Sequence, residues 1–129
     1  MSAMQFHFLI GWISILAGVS SGAVVGLFFH REDWLGGYGS LRRRLIRLGH
    51  VAFFGMGFLN VMFALSLPSI EHIADKLPLL STCFAVGAIC MPLCCYLCAW
   101  RKSLRHLFVV PVACLLIGSG LIACCMVIG

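Results

Sequence analysis

The chain has 129 residues, of which 62% are hydrophobic and 10% charged, with a formal net charge of +5. A soluble domain carries about a quarter charged residues, so the composition excludes one and leaves a membrane protein with no room for a second domain. The positive balance does not point to nucleic acid: the cations flank apolar runs, where anionic headgroups are the natural partners.

A membrane-crossing helix needs about 20 apolar residues. Four runs reach that length, over residues 8–29, 48–67, 79–100 and 107–128. They predict an all-α integral membrane bundle of four transmembrane helices, a single unit over residues 1–129. The residues before the first run, Met1 to Phe8, include no Lys or Arg, and the run itself exceeds the core of a secretory signal. Span one is therefore expected to stay in the protein. It carries Gly18, Gly22 and Gly26 at four-residue spacing, a ridge that lets a second helix approach closely, within the bundle or from another protomer.

Arg31, Glu32 and Asp33 close span one. Gly36, Gly37 and Gly39 then predict a turn, without the Lys and the strand-to-helix setting of a phosphate loop. The stretch LRRRLIRL, Leu41 to Leu48, is basic and apolar at helical spacing, so it is expected to lie in the interface or to extend span two. Span two holds Gly55, Gly57 and Asn60, and a buried Asn is expected to bond to another span. Pro68 to Pro78 reads as an outer connection with one short helical turn and the polar residues Glu71, His72, Asp75 and Lys76. Span three contains Pro92, expected to kink it, and Cys83, Cys90, Cys94 and Cys98 on one face. Span four contains Gly118, Ser119 and Gly120.

Eight of the nine basic residues (Arg31, Arg42, Arg43, Arg44, Arg47, Arg101, Lys102 and Arg105) fall in the first and third connections. The positive-inside rule makes both cytoplasmic and puts both termini outside. Trp34, Tyr38 and Trp100 belong to the same edge, where amphipathic rings settle. A bacterial-type cytoplasmic (inner) membrane fits this pattern.

The histidines carry the most specific chemistry. His30, His50 and His106 fall near the cytoplasmic face, and His7 and His72 near the outer face. Haem b in membranes is held by His on different spans, with propionates at a basic interface. His50 with His106 or His30 fits that outline, with Arg47 and Arg105 as propionate partners and Gly57 or Gly26 as room for the ring. Against it, His at a helix end sits comfortably in the headgroup zone with no ligand at all.

Copper handling is a weaker alternative. It rests on the cysteine face with Met91, and on Met1, Met4 and His7. Cys95 and Cys98 form a C-x-x-C at the reducing end, and Cys83 with Cys124 or Cys125 allows one outer disulfide. Cysteine as a small packing residue accounts for the same pattern. No acid lies inside a span, and no nucleophile–base pair, nucleotide motif or zinc motif is present. The reading that fits best is a non-catalytic accessory subunit of a larger membrane complex, respiratory or electron-transferring, held by its glycine ridge and basic loop. Its partners are then the lipid bilayer and other membrane subunits or further copies. A haem-binding or quinone-linked electron carrier is the alternative.

Overall fold

The computed structural model describes residues 1–128, so Gly129 of the expected single unit lies outside it. Four α-helices follow in order: α1 (Ala3–Leu27), α2 (Leu41–Ser66), α3 (Leu77–Trp100) and α4 (Val109–Ile128). Short 3-10 segments, Trp34–Gly36, Leu67–Lys76 and Lys102–Phe108, connect them, and no strand occurs among the described residues.

Each helix start has a local cause. Ser2 caps α1 in a capping box: the Gln5 amide donates to Ser2 Oγ at 3.2 Å and the Ser2 amide to Gln5 Oε1 at 3.0 Å. Ser40 caps α2 by accepting from the Arg43 amide at 3.2 Å, so the basic stretch is the first two turns of α2 and not a separate interfacial helix. The glycine turn before it places Gly36 and Gly37 at positive φ, with Leu35 beside them in the left-handed region at φ 56°.

The connection over residues 67–76 differs from expectation. It is a ten-residue 3-10 segment with non-helical backbone only at Ile70 and Ile73. Pro68 and Pro78 each sit in the first turn of a helical element, where a missing N–H costs nothing, so they start helix and do not break it. Ile70 and Ile73 turn inward and join Phe63, Leu80 and Phe84 in a core cluster. Helical structure therefore runs from Leu41 to Trp100 without coil. In place of four separate spans, three helical stretches are long and apolar enough to cross a membrane: Ala3–Leu27, Leu41–Trp100 and Lys102–Val127. A straight 60-residue helix would be about 90 Å long. Here α2 and α3 pack along each other, so the stretch is folded back on itself.

Packing follows chain order. α1 lies on α2, α2 on α3 and α3 on α4, with a smaller contact between α1 and α3. The exterior is apolar: Trp12, Leu16, Val51, Met62, Leu65, Ile89 and Leu116 are all exposed. The buried polar side chains, by contrast, are His7, Ser14, Arg43 and Asn60. Polar inside and apolar outside is the arrangement a hydrocarbon solvent selects.

Candidate functional site

On α1, His7, Gly11, Ser14 and Gly18 are buried, at spacings of four, three and four residues, one helical face turned to the bundle. Gly11 and Gly57 bring the backbones of α1 and α2 together. A Cβ at Gly11 would meet the Gly57 carbonyl at 3.0 Å, and one at Gly57 the Gly11 carbonyl at 2.9 Å. Gly18 lies under the Phe54 ring and Gly22 under the His50 ring, whereas Gly26 has nothing above it. Three of the glycines on this face thus meet α2 within the chain.

His50 is the centre of a cluster near the basic start of α2. Its Nδ1 lies 2.9 Å from the Gly18 carbonyl and 3.4 Å from Ser21 Oγ. A carbonyl only accepts, so Nδ1 carries the proton and Nε2 of the neutral ring keeps its lone pair. Nε2 makes no hydrogen bond among the described residues. The ring lines a cavity of about 320 Å³ with Gly22, Val25, Gly26, Phe29, Arg47 and Val51. Arg47 stacks on Phe29 there, 5.7 Å from the ring centre.

The other residues expected at this site are not gathered around it. His30 is exposed in the turn after α1, and His106 is exposed in the segment Lys102–Phe108. Arg105 lines a different cavity, with Leu41, Leu45, Cys98, Lys102 and Phe108. Ile15 and the Gly11 carbonyl occupy the space beside Gly57, which leaves no gap for a macrocycle there. No three His, Cys, Asp or Glu side chains among the described residues are grouped to hold a metal ion. All eight cysteines are free thiols, and Cys83, Cys94, Cys95 and Cys98 are buried between helices. Glu71, His72, Asp75 and Lys76 are exposed.

A second cluster lies near the opposite end: Asn60 is buried and bonds to other helices as expected, and its partner His7 is the part that the sequence does not disclose. His7 is fully buried, with Nδ1 2.8 Å from Asn60 Oδ1 and Nε2 2.7 Å from Ser81 Oγ. Asn60 Nδ2 donates to the carbonyls of Met56 at 2.9 Å and Phe84 at 3.3 Å. Those two carbonyls fix the direction of every bond. The amide nitrogen faces them, so Oδ1 faces His7; His7 Nδ1 then donates, and neutral Nε2 accepts from the Ser81 hydroxyl. The result is a neutral chain that joins α1, α2 and α3, with Phe63 edge-on to the imidazole at 4.6 Å. Both His7 nitrogens are engaged, which leaves none for a copper set with Met1 and Met4. The four–three–four spacing from His7 to Gly18 is the signal that marks His7 as interior.

Arg43 is the other residue whose role the sequence does not disclose. It is fully buried, and its guanidinium donates to the carbonyls of Phe29 and Arg31 at 3.1 Å and of Glu32 at 3.4 Å. Tyr38 lies 3.9 Å from it, with Phe29 and Trp34 at 5.5 Å. A cation thus pins the turn that follows α1 through three of its carbonyls. Its Nε is buried with no partner.

No family model, no curated protein and no solved structure matches this chain. The described geometry offers two polar anchors, the fully paired His7 chain and Arg43, which is paired except at Nε, and one unsatisfied heterocyclic nitrogen, Nε2 of His50.

Proposed function

We propose that the chain is a non-catalytic accessory subunit of a larger membrane complex, with α1 to α4 as four spans and both termini outside a bacterial-type cytoplasmic membrane. The observation that carries this is the one-sided burial of α4. Pro111 and Gly118 are buried, and Cys114, Leu115, Leu121, Ile122 and Cys125 are half-buried, a stripe of 3.5-residue period on the α3 side. Val109, Val110, Val112, Leu116, Ile117, Met126 and Val127 point outward. Among them Ser119, Gly120, Ala123 and Cys124 are also exposed, and a Cβ at Gly120 would meet nothing within 4 Å. A small-residue strip inside a bulky apolar face suits close approach by another helix. The interior polar groups other than His50 Nε2, Arg43 Nε and Tyr96 Oη are occupied in holding the bundle, which favours a structural over a catalytic role.

The test is purification from native membranes in mild detergent, with wild type beside Gly120→Leu. Co-isolation of a membrane protein of different sequence, lost in the variant while helicity is retained, supports the reading. A lone monodisperse monomer sinks it, and a homodimer lost in the variant replaces the foreign partner with a second copy. The orientation is tested by reagent labelling of single cysteines introduced at Ser69 and Ser103. In a background with the eight native cysteines replaced by serine or alanine, only Ser69→Cys should react from the outer side.

A second reading, a haem-binding or quinone-linked carrier, is favoured by His50 alone. Its tautomer is held by the Gly18 carbonyl, which is how a ligating imidazole is oriented, and Arg47 stands at the same cavity. His50 would supply a ligand nitrogen and Arg47 a propionate partner, and haem would add one-electron chemistry. A reduced-minus-oxidised spectrum with Soret and alpha bands that vanish in His50→Ala would establish it. A flat spectrum from folded protein removes it.

A further inference from the structure

A cavity of about 290 Å³ lies between the start of α2, the end of α3 and the segment Lys102–Phe108. Its lining follows from helical periodicity. Lys102, Arg105 and Phe108 recur every third residue, and a 3-10 helix stacks such residues in one column. Leu41 and Leu45, four apart on α2, face the same space, and buried Cys98 adds a third apolar wall. The cavity is therefore an apolar trough with two exposed cations on it, and no carboxylate lines it. Its walls are tied together: Arg42 Nε donates to the Ala99 carbonyl at 3.2 Å and its guanidinium lies 4.9 Å from the centre of the Trp100 ring, which fixes the start of α2 to the end of α3.

We propose that this trough binds one anionic phospholipid, with an acyl chain along Leu41, Leu45 and Phe108 and the headgroup phosphate on Lys102 and Arg105. Charge complementarity selects the headgroup, and four apolar residues against two cations select a lipid over a soluble anion. The site requires the helices to lie in a bilayer but needs no partner subunit, so it stands or falls apart from the accessory-subunit reading.

The experiment is native mass spectrometry of the full chain in neutral detergent, titrated with phosphatidylglycerol or with phosphatidylcholine of the same acyl chains. Retention of phosphatidylglycerol should exceed that of phosphatidylcholine about tenfold. Lys102→Gln with Arg105→Gln should abolish the preference, while Arg31→Gln with Arg44→Gln, an equal loss of charge elsewhere, should keep it. Leu41→Ser, at an exposed position, should weaken phosphatidylglycerol several-fold with the cations intact, and excess inorganic phosphate should not displace the lipid. Equal retention of the two lipids would overturn the proposal. So would an equal loss in the Arg31/Arg44 pair, no effect of Leu41→Ser, or displacement by phosphate.

Discussion

His7 and His50 sit at opposite ends of the α1–α2 interface and use their rings differently. His7 spends both nitrogens, one on Asn60 and one on Ser81, inside a neutral chain whose every donor meets an acceptor. His50 spends one nitrogen on the Gly18 carbonyl, leaves the other without a hydrogen bond, and lines a cavity beside Arg47. The first arrangement is complete without anything from outside, and the second is not. Around His7 the neighbours are aromatic and neutral, whereas around His50 the same helix supplies Arg43, Arg44 and Arg47. Within this pair of helices, the His7 end is built for cohesion and the His50 end carries the charge and the spare valence.

The largest effect should come from the cationic end. Arg43→Met removes the donor of three hydrogen bonds to the carbonyls after α1 and takes the cation from among three aromatic rings. Bonds from a charged donor contribute about 1.5–3 kcal/mol each before losses elsewhere, and the unpaired Nε offsets part of that. A net loss of about 3 kcal/mol is expected, read as a lower midpoint of thermal unfolding in micelles. An unchanged midpoint would mean that the turn over residues 28–40 holds itself.

Next in size is the neutral chain. His7→Ala leaves Asn60 Oδ1 and Ser81 Oγ without partners in a dry interior, a cost of about 1–3 kcal/mol. Removing both ends of the bond, His7→Phe with Asn60→Leu, should cost less than the sum of the single changes, because the Asn60 oxygen is no longer orphaned and only the Ser81 hydroxyl remains without its partner. Additive losses in the double-mutant cycle would show that the two side chains act independently and that the bond between them contributes nothing.

How much of this the sequence discloses depends on what kind of signal each feature leaves. Long apolar runs are unambiguous, because a helix of such residues buries no polar backbone, and α1, α3 and α4 fall where those runs lie. Leu67–Lys76 differs from expectation because a proline reads as a terminator, although in the first turn it is a starter. His7 escapes a span that starts at Phe8, one residue too late to bring it onto the Gly11–Ser14–Gly18 face. Arg43 has no local signal at all. Four arginines crowd LRRRLIRL, and only the path of residues 28–40, folded back over one of them, decides which is buried. The histidine set failed to assemble for a related reason: sharing the same end of the bundle is legible in a sequence, but sharing a cavity is a matter of helix rotation. His50 faces α1 while His30 and His106 face outward.

The smallest effects separate close approach from mere glycine content. Gly22 and Gly26 sit one turn apart on α1 and line the same cavity, yet a Cβ on Gly22 would collide with the His50 ring and one on Gly26 would touch nothing. Gly22→Ala must therefore push the imidazole off the Gly18 carbonyl, at about 1–3 kcal/mol for an overpacked contact. Gly26→Ala should be neutral or stabilise slightly, since alanine is the better helix former by up to about 1 kcal/mol. The two unfolding midpoints, measured side by side, should move in opposite directions. If Gly26→Ala lowers the midpoint as much as Gly22→Ala does, the open space above Gly26 is filled in the membrane, and the most direct occupant is a helix from a second protein against the same cavity.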